Sequence, residues 1–253
     1  MRLCIKTLLA ATALFGVVAG TAEATLTTIG QATYNSSSYN LIWDNDAPFG
    51  SVVYLDYTNP SQKWEKQVEW AASLEEGITK ITLNPGYSVT WAGDWRLPKT
   101  VDGLYDWDYD GTTTAGYNIT SSELGHLYYT ELGNKGRYNA AGVEQTGYGL
   151  LNKGDFDNLQ SGIYWSDTEF VNEFDHDGNP VPVSELRHAW IFDTENGYQN
   201  VGDKKDVLYL GLAVRPGQVA VDAPTPVPEP STMLLLGSGL AGLAVWRLRR
   251  RGC

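Results

Sequence analysis

The stretch Val207-Leu208-Tyr209-Leu210-Gly211-Leu212-Ala213-Val214 carries no charge and is closed by Arg215-Pro216-Gly217. An apolar run of this length, ended by turn residues, reads as a central strand buried on both faces. Segments rich in β-branched and aromatic residues read as further strands at 40–43, 52–57, 91–97, 163–166 and 189–192. Two helices are expected among them. The first opens at Asn59-Pro60-Ser61-Gln62, with Asn59 as cap, proline at the first helical position and glutamine three residues after the cap. Trp64, Val68, Ala71 and Ala72 then share one face, and Gly77 stops it. The second opens at Thr120-Ser121-Ser122-Glu123, a capping box, sets Leu124, Leu127, Tyr128 and Leu132 at helical spacing, and stops at Gly133. Long connections rich in Gly, Asn, Thr and Tyr occupy 100–120 and 133–157. Few helices, several short strands and large surface loops define an α+β domain. The Gly-Tyr pairs at Gly86, Gly116, Gly147 and Gly197 keep no fixed period, so a solenoid is not expected.

Composition narrows the function classes. With 253 residues, 12% aromatic and only 19% charged, the chain is long enough for one substantial domain and gains too much from burying rings to stay disordered. Its two cysteines, Cys4 and Cys253, stand at the extreme ends, which excludes an internal disulfide and a thiolate zinc cluster. Lysine and arginine number 18 against 30 aspartates and glutamates. Without the terminal Arg2, Lys6, Glu23, Glu229 and the last four arginines, the exported body with its stalk keeps 12 basic and 28 acidic side chains, a formal charge of −16. That surface repels phosphates, so nucleic acid is excluded as a partner. It suits solubility outside the cell and binding of divalent cations.

Each end carries an address. Residues 1–24 combine a basic start (Arg2, Lys6), an uncharged stretch from Thr7 to Gly20 and the small-residue pattern Ala22-Glu23-Ala24, the build of a signal peptide cut after Ala24. An N-terminal membrane anchor is the competing reading. After a body spanning 25–216, Pro224, Pro226, Pro228 and Pro230 alternate with other residues, which makes 217–230 an extended stalk. An uncharged run from Met233 to Trp246 follows, and Arg247, Arg249, Arg250 and Arg251 hold the far side in the cytoplasm, with the body outside. As a helix the run spans about 21 Å against a hydrocarbon core of about 30 Å. Residues 231–253 are therefore a short transmembrane segment that fits a transient stay in the inner membrane.

Val227-Pro228-Glu229-Pro230-Ser231, the apolar run and the arginine cluster, in that order, resemble the PEP-CTERM sorting signal recognised by exosortases in Gram-negative envelopes. The resemblance implies the export machinery and an exosortase as partners, and cleavage near Pro228-Glu229-Pro230. It also implies a body released, or re-anchored, at the cell surface or beyond it. An ordinary single-span anchor on a proline-rich stalk is the plainer alternative.

The body has a resemblance of its own. Gly93-Asp94-Trp95-Arg96-Leu97-Pro98, Ser122-Glu123-Leu124, Tyr164-Trp165-Ser166, Ala189-Trp190 and Leu212-Ala213-Val214-Arg215 follow the ordered pattern of the Lcl C-terminal-type domain, over residues 40–216. That resemblance implies a single C-type lectin-like domain with long loops. The chain departs from the pattern at Ser166-Asp167-Thr168, where the family often has Ser-Ser-Thr, and in lacking a cysteine near the final Val-Arg.

Candidate chemistry is sparse. Trp95 and Trp165 read as core rings, and Arg96 as a donor to carbonyls or a carboxylate beneath a loop. Tyr105, Trp107, Tyr109 and Tyr117 lie in a polar loop and are the candidates for stacking on sugar rings. Asp106-Trp107-Asp108-Tyr109-Asp110-Gly111 alternates carboxylates as in the first half of a calcium loop, so Asp106, Asp108 and Asp110 are the candidate metal ligands and calcium the candidate ion. Tyr117 holds the twelfth position, where an EF-hand needs glutamate, which rejects the helical version. Asp175-His176-Asp177-Gly178-Asn179 is a weaker case of the same type. No catalytic residue is assigned: the body has no cysteine nucleophile, His126, His176 and His188 lack metal-ligand spacing, and no nucleophile elbow or phosphate loop occurs. His126 reads as a packed or surface side chain. The expectation is an exported envelope or matrix protein, a non-catalytic adhesion or exopolysaccharide-associated module of the biofilm kind. A glycan-cleaving hydrolase using loop carboxylates and a purely structural surface protein are the alternatives.

Overall fold

Leu212, Ala213 and Val214 point alternately into two different cores, and the same alternation runs through every central strand. The computed structural model describes residues 26–174 and 177–222. In chain order it has β1 (Thr27–Tyr34), β2 (Ser37–Asp44), β3 (Val52–Gln62), α1 (Trp64–Gly77), β4 (Ile78–Leu83), β5 (Tyr87–Trp91), β6 (Trp107–Asp108) and β7 (Ala115–Tyr117). A single α-turn, α2 (Glu123–Gly125), runs into a π-turn (His126–Glu131), followed by β8 (Ile163–Glu169), a 3-10 turn (Val183–Glu185), β9 (His188–Asp193), β10 (Tyr198–Asp203) and β11 (Tyr209–Val221). The strands form one eleven-stranded mixed sheet in the order β4-β1-β2-β3-β11-β8-β9-β10-β7-β6, with β5 paired to β11.

This corrects the α+β, C-type lectin-like expectation: the sheet is the architecture, and α1 is the only helix of more than two turns among the described residues. The sequence reading assigns no strand at 27–34, 78–83 or 198–203, where β1, β4 and β10 lie. β1 was hidden by its turn. Asn35 and Ser36 both take positive φ, the left-handed pair of a two-residue hairpin, yet Asn-Ser lacks the glycine that usually announces one. β11 is central as expected, flanked by β3 and β8, and it runs on to Val221, beyond the expected start of the stalk. Pro216 sits where β11 leaves β3 (Pro216 opposite Val52) and takes up β5 (Gly217 opposite Trp91). A residue without an N–H is tolerated at such a change of partner.

Both faces of the sheet are covered. On one, α1 lays Trp64, Trp70, Ala71 and Leu74 over Leu41, Val53, Leu55, Trp165 and Ala213. On the other, Leu124, Leu127, Tyr128 and Leu132 pack on Ile42, Tyr54, Tyr164, Phe192 and Val214. The first helix starts later than its capping signal suggests, because 59–62 stay in β3, paired with β11. Its buried side is Trp64, Gln67, Trp70, Ala71 and Leu74, and Ala72 is exposed. Gln67 is buried because its amide is fully used: it accepts from Asn59 Nδ2 (2.7 Å) and donates to the carbonyls of Pro60 (2.8 Å) and Tyr209 (2.9 Å). The signal peptide expected at 1–24 lies outside the described residues, as do residue 25, the pair Asp175 and His176 and the residues from 223 onward. No helix among the described residues is long and apolar enough to cross a membrane.

Candidate functional site

The aromatic loop is built by a short parallel pairing, Trp107 opposite Ala115 and Asp108 opposite Gly116. Gly116 has φ +115°, and a Cβ there would overlap the Asp108 carbonyl oxygen, so only glycine lets the two segments meet. The pairing gathers rings: Trp107 meets Tyr109 edge-on at 4.7 Å, Tyr109 stacks on Tyr117 at 5.9 Å, and Tyr117 contacts Tyr138 and Tyr198 at 5.1 Å each. Tyr117 is the buried centre of this group, only 8% exposed, and burial pushes its phenol up to about 12. It therefore supports a surface without being one. Tyr105 (45% exposed) and Trp107 (37%) present that surface. Both are held in place: Tyr105 OH donates to Asn200 Oδ1 (3.0 Å) and Trp107 Nε1 to the Tyr198 hydroxyl (3.2 Å).

The aspartates of this loop serve its turns. Asp108 Oδ1 accepts from the Tyr109 N–H (2.6 Å), and Asp110 Oδ1 from the Thr112 N–H (2.9 Å) and hydroxyl (2.7 Å), which holds the Asp110 carboxyl below its usual range. Asp106 contributes its carbonyl to Ala115 N–H (2.8 Å). Asp106, Asp108 and Asp110 are not among the described groups whose carboxylate oxygens converge.

Convergence occurs elsewhere. Asp44 ends β2, Asp46 lies two residues on in the following turn, and His126 and Glu131 open and close the π-turn. One ligand atom from each lies within 4.8 Å of the others. The Nε2 of His126 stands 3.8 Å from Asp44 Oδ1, 3.4 Å from Asp46 Oδ1 and 3.4 Å from Glu131 Oε1. None of these approaches has hydrogen-bond geometry: Asp44 Oδ2, His126 Nε2 and both Glu131 oxygens are buried without a hydrogen bond within the protein. Burial, together with the repulsion of Asp46, pushes the Asp44 carboxyl up to about 7. Burial and the neighbouring Asp44 and Asp46 also raise Glu131, and His126 beside it offsets this in part.

The local fold explains how a histidine and a glutamate five residues apart come together. The capping box puts the cap at Thr120; in the structure Ser122, two residues on, caps α2 instead, its Oγ accepting from Gly125 N–H (3.0 Å). Glu123 does not complete the box. Its carboxylate turns inward to take Arg96 in a two-pronged pair (2.7 and 2.8 Å) and the Lys99 N–H (2.6 Å). From His126 the helix widens, Leu132 N–H bonding the Leu127 carbonyl at 2.9 Å, and an i→i+5 turn stacks residue 131 beside residue 126. In an α-helix those two positions diverge by about 140°. Helical spacing therefore concealed the site, and His126, expected as a packed or surface residue, is buried within it. The available signal was the Asp44-Asn45-Asp46 pair directly after a strand.

Residues 226–251 match the PEP-CTERM protein-sorting motif. No curated protein and no solved structure matches the chain, and no match supports a C-type lectin-like domain. The motif marks an exported protein that exosortase sorts, directed through the membrane to the cell surface. Ala24, Pro228, Glu229, Pro230, Trp246, Arg247, Arg249, Arg250 and Arg251, assigned to processing and membrane sorting, all lie outside the described residues.

Proposed function

We propose that the exported body is a non-catalytic module that associates with extracellular polysaccharide through the face of Tyr105 and Trp107. The supporting observation is two part-exposed rings fixed by hydrogen bonds and backed by a tyrosine cluster centred on the buried Tyr117. Sugar C–H faces stack on such rings. A body of formal charge −16 favours neutral or cationic glycans over anionic ones. An open cleft of about 360 Å³, lined by Ser61, Gln160, Ile163, Glu195, Tyr209 and others, carries one carboxylate, whereas glycoside hydrolysis uses two.

Co-sedimentation with insoluble exopolysaccharide tests the reading. Removing one stacked ring by Trp107→Ala is expected to weaken retention about tenfold, equivalent to ~1.4 kcal/mol. Tyr105→Ala should act in the same direction. Equal retention of wild type and the double variant would refute the assignment of this face, and turnover of the polysaccharide would replace it with a hydrolase.

A further inference from the structure

We propose that Asp44, Asp46, His126 and Glu131 form a binding site for one divalent first-row transition cation, of the zinc or manganese kind, between the end of β2 and the π-turn. The site is separate from the aromatic face and stands whether or not that face binds glycan.

Distances point to it first. Ligand atoms about 2.0–2.2 Å from a tetrahedral metal are separated from one another by about 3.3–3.6 Å. His126 Nε2 meets oxygens of Asp46 and Glu131 at 3.4 Å each and of Asp44 at 3.8 Å. The two 3.4 Å separations match the edges of a tetrahedral coordination polyhedron and the 3.8 Å one lies slightly beyond them.

Burial supplies an independent argument. The side chains of Asp44, Glu131 and His126 are 0%, 1% and 9% exposed, and each has an unpartnered polar atom in the group. Buried charges are otherwise paired or bound to metal. Among the described residues, the only cationic partner within 4.0 Å of Asp44, Asp46 or Glu131 is His126, one imidazole for three carboxylates. Arg96 is already engaged by Glu123. A divalent cation would hold the three carboxylates in their ionised form against burial and fill the free lone pairs together.

The donor set selects the cation. Calcium and magnesium take oxygen ligands, whereas imidazole suits zinc, iron, nickel and copper, and carboxylates suit manganese. One imidazole with three carboxylates falls where zinc and manganese overlap. Asp46, 47% exposed, gives the ion a way in from solvent. A π-turn that brings its two ends into one site matches the frequent use of such turns at functional positions.

The test uses the untagged full chain in detergent, stripped with chelator and titrated with Zn²⁺ or Mn²⁺. One equivalent is expected to bind, with metal content measured after gel filtration and free Mn²⁺ counted by electron paramagnetic resonance. Asp44→Asn and His126→Gln should weaken binding 100-fold or more, since even residues that only support a ligand cost 10–100-fold. Asp44→Asn relieves buried repulsion, so its metal-free fold should survive. Should His126→Gln fail to fold, the Mn²⁺ spin-echo spectrum of the wild type decides: a ¹⁴N coupling is expected, and its absence overturns the site. Failure to retain either metal, or equal retention by Asp44→Asn, overturns the proposal. Preference for Ca²⁺ over both overturns the assigned class.

Discussion

Glu123 is fully buried and would be an isolated charge without Arg96, whose guanidinium meets both of its oxygens. Removing one partner of such a pair strands the other, at a cost of about 3–5 kcal/mol. Arg96→Met is therefore expected to lower the unfolding free energy by that amount in urea, while Arg96→Met combined with Glu123→Gln should recover part of it. A loss below about 1 kcal/mol for the single variant would mean that water reaches Glu123. Much of this was legible at the level of single residues. Trp95 and Trp165 are buried rings, and Arg96 bonds a carboxylate and the Leu97 carbonyl, as their types suggest. The identity of the carboxylate was not, because Glu123 occupies the third position of a capping box and local pattern assigns it to its own backbone. A partner 27 residues away is decided by packing, which spacing does not encode.

At the scale of elements, local signals located both helical segments but not their starts, because 59–62 are held in β3 by β11 and the second cap falls at Ser122. A helix start near Thr120 was readable, though the cap proved to be Ser122, whereas the π-turn after it was not, since Leu124, Leu127, Tyr128 and Leu132 satisfy ordinary helical spacing. The loop around β6 and β7 gives a test of how an element is held. Gly116→Ala would force a side chain onto the Asp108 carbonyl at positive φ, so the pairing must open. Gly147 also has positive φ (+68°) but nothing within 4 Å of an added Cβ. Gly147→Ala should cost only about 1 kcal/mol of backbone strain, and Gly116→Ala about 2–3 kcal/mol or more. The near-ultraviolet circular dichroism of the tyrosine cluster should fall in Gly116→Ala alone. Similar loss in both variants would show that strain, rather than close approach, governs the loop.

Across the whole molecule, β11 is the element on which the two cores meet, and its pairings join distant parts of the chain: Leu212 to Thr58, Gly217 to Trp91, Leu210 to Tyr164. Its centrality was readable from an uncharged run, but its length was not. The apolar run ends at Val214, and Arg215-Pro216-Gly217 looks like a turn, yet the strand continues because β5 offers a new edge. Arg215 marks the join, its guanidinium 4.7 Å from the Trp91 ring and bonded to Glu75 at 2.9 Å. This bears on sorting, because the motif begins at residue 226, a few positions after the last paired residue, Val221. Processing near Pro228-Glu229-Pro230 would leave the β5–β11 ladder whole. A chain ending at Asp222 is therefore expected to show the same urea midpoint as the full chain in the same detergent. One ending at Pro216 loses five ladder positions and should lose about 2.5–7.5 kcal/mol, at roughly 0.5–1.5 kcal/mol per net hydrogen bond. Equal midpoints for the two truncations would show that β5 contributes nothing to the sheet, and that the folded body ends at Pro216.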